Sequence, residues 1–149
     1  MKVLKISLIF FISLLIIFLF MELKSEIKND ETYAVDEFVN QLRSKGYEFQ
    51  IKDVEKHFLS GKRQVLKLKD DQVDIYLYTS SEDMENDANR VDSGGCSYSA
   101  AEEGKSIKIS WESYPHFYKK GNIIVQYVGE NRKILSDLKD VLGGQFAGS

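Results

Sequence analysis

The sequence predicts an α+β domain: an antiparallel sheet of about five strands with helices packed on one face, preceded by an N-terminal transmembrane helix. Three observations indicate this fold class. Apolar and polar residues alternate in several short runs, which is typical of half-buried strands. Other runs carry apolar residues at the helical spacing of three and four positions. The strands follow one another through short turns, without a regular strand–helix–strand alternation, and this favours antiparallel pairing.

The first half of the domain is predicted to hold one helix followed by three strands, within an overall order α-β-β-β-α-β-β-α. Apolar residues at i, i+3, i+4 and i+7 place the helix near 34–45. Alternating apolar residues indicate a strand near 47–52 and two further strands at 63–69 and 72–78. The two aspartates between the last two runs predict a hairpin turn.

A second helix is predicted to begin after Ser80, because a serine hydroxyl suits the N-cap position. Its apolar stripe contains Met84 and Ala88, so the charged residues of this segment are expected on the solvated face. The acidic and amide residues within 82–92 alternate as in a calcium-binding loop. However, the glycine and the final glutamate that such a loop needs are missing.

The rest of the domain is predicted to contain a loop, two strands and a final helix. Residues 92–106 are rich in Gly, Ser and Ala, which indicates the loop. Alternating apolar residues place strands at 107–111 and 121–128. An amphipathic stripe over 134–142 predicts the last helix, and the glycine pair that follows should end it.

The first 21 residues differ from the rest in hydropathy and in charge. Residues 6–21 are apolar except for two serines, and two lysines precede them. Sixteen helical residues span about 24 Å, and a few flanking residues extend this to the roughly 30 Å hydrocarbon core of a bilayer. We therefore expect a signal-anchor over 1–21, with residues 3–21 in the cell membrane. Its basic start predicts a single pass with the N-terminus cytoplasmic and the domain outside.

The segment after the anchor is expected to be a tether. Residues 22–32 alternate acids and bases without an apolar face, and the extracytoplasmic domain is predicted to span 33–149. The alternative is a signal peptide whose cleavage releases a secreted domain. The end of the apolar run lacks the small-residue pattern of a cleavage site, which favours the anchor.

Charge and composition limit the class of function. The chain has a formal net charge of −3, which becomes −5 beyond residue 21, where 18 basic and 23 acidic residues lie. A domain of this charge is not expected to bind nucleic acid. A single cysteine excludes both an intramolecular disulfide and a multi-cysteine metal site. No nucleotide-binding fingerprint is present, so we predict no cofactor and no metal.

Three short patterns in the second half carry a resemblance to a known group of proteins. They are PHFYKKG at 115–121, IVQYVG at 124–129 and GGQFAG at 143–148. With them, the chain from about 35 to 148 resembles a family of small uncharacterised bacterial extracytoplasmic proteins of the membrane-anchored or lipoprotein type. The resemblance implies one domain in the cell envelope behind an N-terminal targeting segment, and it implies no particular activity.

The stretch WESYPHFY at 111–118 is the leading candidate for a binding surface. Four of its eight residues are aromatic, against 12% for the whole chain, and it holds the only proline. We expect a loop between two strands, a common place for binding residues. Aromatic side chains that fold inward over the sheet are the first alternative. The second is a membrane-surface contact through two aromatics and the lysines at 119–120. The candidate binding residues are Trp111, Tyr114, Pro115, His116, Phe117 and Tyr118.

The sequence favours a membrane-tethered binding or interaction module without catalysis, because no catalytic spacing is present. Its partner would be an unknown envelope protein or a small ligand. One alternative is a small cell-envelope hydrolase or accessory enzyme that uses His116, since histidine titrates near neutral pH. Another is a structural or assembly protein of the envelope that pairs through a sheet edge or through Cys96. That cysteine lies in a Gly/Ser-rich segment, where an exposed thiol could form an intermolecular disulfide.

Overall fold

The computed structural model describes residues 14–16, 35–100 and 104–149 of the chain. The helices of the domain are α1 (35–44), α2 (Ser81–Ala88) and α3 (Arg132–Leu142). Its strands are β1 (Gln50–Asp53), β2 (Lys62–Lys67), β3 (Gln72–Leu77), β4 (Ser97–Ser99), β5 (Ser106–Lys108), β6 (Pro115–Lys120), β7 (Ile123–Val128) and β8 (Ala147–Gly148).

The strands of the described residues form two sheets. Six strands pair in the order β1-β2-β3-β7-β6-β8, and β4 pairs with β5 in a separate hairpin. Every neighbouring pair is antiparallel. The prediction of an α+β fold on an antiparallel sheet is therefore confirmed, with six strands in the main sheet where about five were expected.

One face of the main sheet is covered by α1 and α3. Phe38 and Leu42 of α1 and Leu138 of α3 pack against β3 and β7, and all of them are buried. The apolar residues of both helices recur at the helical spacing, so each helix turns a single stripe toward the sheet. This half of the core corresponds to the arrangement that the sequence predicts.

The opposite face is covered by α2 and the strand β4, so the prediction that all helices lie on one face is wrong. Tyr76, Phe117 and Ile124 point to this second face and are fully buried under Met84 of α2 and Tyr98 of β4. The alternation in β3 suggested that one side of the strand faces solvent, because Asp74 lies on that side together with Tyr76 and Tyr78. A tyrosine can be buried when its hydroxyl finds a partner, and both of these do.

Two segments that the sequence assigns to loops contain strands. Residues 92–106 include β4, which pairs with β5. The aromatic stretch 111–118 contains the first part of β6, which pairs with β7 on one side and with β8 on the other. Pro115 is the first residue of β6, the position where a strand tolerates a residue without an N–H.

Most of the predicted anchor and the tether lies outside the described residues, in the ranges 1–13 and 17–34. Residues 14–16 are helical, and their side chains are exposed. No helix within the described ranges is long and apolar enough to cross a membrane. The anchor and the tether stay predictions.

A polar cluster joins the end of α1 to α3 around Asp137. The carboxylate accepts hydrogen bonds from the Tyr47 hydroxyl at 2.7 Å and from the Lys133 ammonium at 2.8 Å. Lys45 lies 3.2 Å from its other oxygen. Burial alone would raise the pKa of Asp137, but the hydrogen bonds from Lys133, Tyr47 and Lys45 lower it to about 2.

We expect Asp137 to make the stability of the domain depend on pH in acid. The pKa of Asp137 is lower in the folded than in the unfolded chain, so its contribution is complete above about pH 4 and is lost as the pH falls toward 2. Asp137→Asn should lower the free energy of unfolding by about 1 kcal/mol at pH 7, since exposed lysines weaken the pairs. Urea unfolding at pH 7 and at pH 3 measures this difference.

The control for this experiment is Asp140→Asn. Asp140 also lies 3.2 Å from Lys45, but its side chain is exposed, and we expect a change below about 0.5 kcal/mol. An Asp137→Asn variant that differs from wild type by the same amount at both pH values would contradict the role assigned to this carboxylate.

Candidate functional site

A pocket of about 670 Å³ lies between the turn before β2, the end of β3 and the helix α2. The turn contributes Ser60 and Gly61, and the residues directly after β3 contribute Tyr78 and Thr79. Asp87 reaches the pocket from α2. Three elements that are distant in sequence therefore meet at one concave surface.

Gly61 brings the turn close to β3. Its neighbour Lys62 pairs with Leu77 in the β2–β3 register, so the turn lies against the end of β3. A Cβ atom at Gly61 would stand 3.0 Å from the Tyr78 ring and 3.1 Å from the Leu77 carbonyl oxygen. A side chain at this position would force the turn or the Tyr78 ring to shift by a few tenths of an ångström, so glycine permits the close approach.

The Asp87 carboxylate holds the three elements together. Its Oδ2 accepts hydrogen bonds from the Ser60 N–H at 2.7 Å, the Ser60 hydroxyl at 3.1 Å and the Tyr78 hydroxyl at 2.6 Å. Its Oδ1 accepts one from the Tyr98 hydroxyl. Asp87 is only 3% exposed, and an unpaired carboxylate at that depth would be strongly unfavourable.

The two tyrosine hydroxyls remain protonated donors in this arrangement. Burial, followed by the hydrogen bond to Asp87, raises the pKa of Tyr78 and of Tyr98 above the ordinary value of a phenol. Because four donors point at Asp87, its lone pairs are engaged within the protein. The carboxylate therefore fixes the positions of the turn before β2, the end of β3 and the strand β4 relative to α2.

Three cations and two carboxylates line the pocket, so its lining carries a net charge of +1. Lys56, Lys62 and Arg90 all line it. Lys62 forms an ion pair with Asp53 at 3.0 Å, in which both side chains are exposed. Arg90 donates to the Tyr98 hydroxyl at 3.3 Å, a neutral partner. Lys56 makes no hydrogen bond or ion pair with the residues that the structure describes.

The aromatic stretch is mostly part of the core. Residues 115–118 of β6 are buried, and the Phe117 ring is fully enclosed. Trp111 is half-buried, and its indole N–H donates to the Gly95 carbonyl at 2.8 Å. Tyr114 is the one candidate binding residue of this stretch that is largely exposed, at 54%. The alternative in which side chains of this stretch fold inward over the sheet therefore applies to Pro115, His116, Phe117 and Tyr118.

His116 is engaged through both ring nitrogens. Nε2 lies 3.1 Å from the Gly129 carbonyl oxygen. Nδ1 lies 2.9 Å from Oε1 of the Gln145 side chain. The ring is buried and is not part of the pocket lining. It pins β6 to the turn after β7 and to the segment that leads into β8.

The two lysines after the aromatic stretch also interact within the fold. Lys119 forms an ion pair with Glu85 of α2, and Lys120 donates to the Val141 carbonyl at 3.0 Å. Cys96 is exposed, as the Gly/Ser-rich setting predicts, and its thiol lies 3.4 Å from the Gly94 carbonyl.

The comparisons with known proteins add no relative. No family model matches the chain, and no curated protein or solved structure matches it.

Proposed function

We propose that this protein is a membrane-tethered extracytoplasmic binding module without catalysis, and that its ligand site is the pocket between α2 and the β2–β3 hairpin. The observation that carries the proposal is a polar pocket of about 670 Å³. The buried Asp87 carboxylate forms its floor and is hydrogen-bonded to the surrounding elements. Pockets for small molecules commonly have volumes of about 300–1,000 Å³. A rigid floor also reduces the conformational entropy that a ligand must remove on binding.

The chemistry of the pocket supports binding rather than catalysis. A general base needs a free lone pair near the proton that it removes. Asp87 accepts hydrogen bonds from four donors, and Asp83, the other carboxylate of the lining, lies at an exposed position of α2 without a histidine beside it in the lining. Neither histidine lines the pocket. The remaining lining groups donate hydrogen bonds or carry charge, which suits recognition.

The binding test compares a blocked pocket with the open one. Asn86 is exposed on α2 and lines the pocket, so Asn86→Trp should fill part of it without disturbing the core. The purified 149-residue chain in detergent is titrated with glycerol, glycerol 3-phosphate, arginine and glucose, and heat of binding is measured. We expect at least one of these probes to bind wild type and to bind Asn86→Trp at least tenfold more weakly.

The matched control is Glu82→Trp, at an exposed position of the same helix that does not line the pocket. It adds the same bulk to α2 and should leave the affinity unchanged. The pocket would lose its assigned role if no probe bound, or if both tryptophan variants reduced binding equally.

The membrane location is tested separately in intact cells. The apolar run 6–21 and its basic start support an anchor that leaves the domain outside. We expect the chain to stay in the membrane pellet after alkaline carbonate extraction and to be degraded by protease added to intact cells. A chain that is soluble after extraction, or protected from external protease, would contradict the proposed tether.

A further inference from the structure

We infer that the pocket recognises the phosphate group of a phosphorylated polyol, an inference that rests on the proposed binding function. The first argument is the contrast between the pocket and the rest of the domain. The chain beyond residue 21 carries a net charge of −5, whereas the three cations and two carboxylates that line the pocket sum to +1. A local positive field in an acidic domain concentrates anions at one place.

These cations remain available to a ligand. Lys56 has no partner among the described residues, and Arg90 donates its side-chain hydrogen bond to a neutral hydroxyl and is attracted more weakly by the Asp87 carboxylate. The Lys62–Asp53 pair is exposed on both sides and therefore contributes little, so Lys62 can exchange this partner for a ligand oxygen. A guanidinium and two ammonium groups are the donors that most often bind phosphate in proteins.

The two carboxylates of the lining offset part of this charge. Asp87 is buried, and the Tyr78, Tyr98 and Ser60 donors surround it. Asp83 is exposed at the start of α2, so it lowers the positive charge at the mouth without removing it. Lys56 and Lys62 are exposed and Arg90 is partly exposed, so the cations lie nearer to solvent than Asp87 does.

The volume of the pocket and the neutral residues of its lining indicate what the rest of the ligand would be. A phosphate group alone would fill only a small part of 670 Å³. The neutral groups available to the rest of the molecule are mainly hydroxyl and amide side chains, from Ser60, Thr79 and Asn86, and Leu77 is the one aliphatic residue of the lining. Groups of this kind bond sugar or glycerol hydroxyls. The same chemistry occurs in a free polyol phosphate and in the headgroup of a phospholipid.

The test uses three probes that share a glycerol unit and differ in whether they carry a phosphate group and acyl chains. Glycerol, glycerol 3-phosphate and the water-soluble lipid dihexanoyl phosphatidylglycerol are titrated into the 149-residue chain in detergent. We expect glycerol 3-phosphate or the lipid to bind at least tenfold more tightly than glycerol, and binding to weaken as salt is raised. Tighter binding of the free phosphate indicates a soluble ligand, and tighter binding of the lipid indicates a headgroup.

Charge variants connect the affinity to the pocket. Lys56→Gln should reduce the affinity for the phosphate probe at least fivefold without changing the melting temperature, because Lys56 supports no described contact. Lys139→Gln removes the same charge from an exposed position on α3, across the sheet, and should leave the affinity unchanged. Equal affinity losses in the two variants would overturn the inference.

Failure of the inference differs from failure of the binding function. If arginine or glucose binds wild type but not Asn86→Trp while neither phosphate probe binds, the pocket is a ligand site and phosphate recognition is wrong. If none of the probes distinguishes wild type from Asn86→Trp, both proposals fall.

Discussion

Replacing Asp87 by Ala is expected to lower the free energy of unfolding by about 3 kcal/mol at pH 7. The substitution removes the acceptor shared by Tyr78, Tyr98 and Ser60. The two tyrosine hydroxyls are buried, and each unpaired buried donor costs about 1–3 kcal/mol. Water that enters from the pocket side recovers part of this loss. Urea unfolding followed by circular dichroism measures the change.

A set of variants distinguishes the buried Asp87 carboxylate from an ordinary surface acid. Tyr98→Phe and Tyr78→Phe each remove one hydroxyl and should lower the unfolding free energy by about 1 kcal/mol. Glu82→Gln changes an exposed acid of the same helix and should stay within about 0.5 kcal/mol of wild type. If Asp87→Ala lowered the unfolding free energy no more than Glu82→Gln does, the Asp87 carboxylate would not be holding the walls of the pocket together.

Local periodicity was sufficient to predict the elements that pack one stripe against the sheet. The helix α1, the helix α3 and the β2–β3 hairpin all fall where the spacing of apolar residues indicates. Ser80 is also the N-cap of α2, since its hydroxyl accepts the Asp83 N–H at 3.1 Å. Each of these features depends on residues within one or two turns of chain, which a sequence pattern records directly.

The burial of the aromatic stretch 111–118 could not be predicted from its composition, because aromatic residues are enriched both at binding surfaces and in buried strands. The strand β6 lies between β7 and β8, and both of its faces are covered. A strand buried on two faces reads as a continuous apolar run without alternation. Phe117 contacts one core cluster and Tyr118 the other, so aromatic enrichment here follows from double burial.

The pocket depends on non-local pairing that the sequence could not reveal. Its cations at 56, 62 and 90 come together only because the turn before β2 lies against α2. One sequence signal was nevertheless present. Met84, Asp87, Ala88 and Val91 follow the i, i+3, i+4, i+7 spacing, which places Asp87 within the apolar stripe rather than on the solvated face. An acid at such a position requires buried donors.

Gly95→Ala is expected to destabilise the domain by about 2–4 kcal/mol. Gly95 lies in the turn before β4 with a φ of +69°, a conformation that other residues adopt at a cost of roughly 1 kcal/mol. Its Cβ would also stand 2.8 Å from an edge carbon of the fully buried Phe117 ring. That ring contacts the Trp111 and Phe146 rings, which restrict its movement, so we expect the turn to shift instead. Thermal and urea unfolding measure the loss.

The neighbouring glycine provides the matched control. A Cβ at Gly94 would meet only the Asp92 carboxylate, at 3.4 Å, so Gly94→Ala should change stability by less than about 0.5 kcal/mol. The only tryptophan gives a second readout, because the Trp111 indole donates to the Gly95 carbonyl. Displacing the turn in Gly95→Ala should expose this ring and shift its fluorescence to longer wavelength. Unchanged emission and equal stability of the two variants would show that Phe117 yields, and that this face of the core is not closely packed.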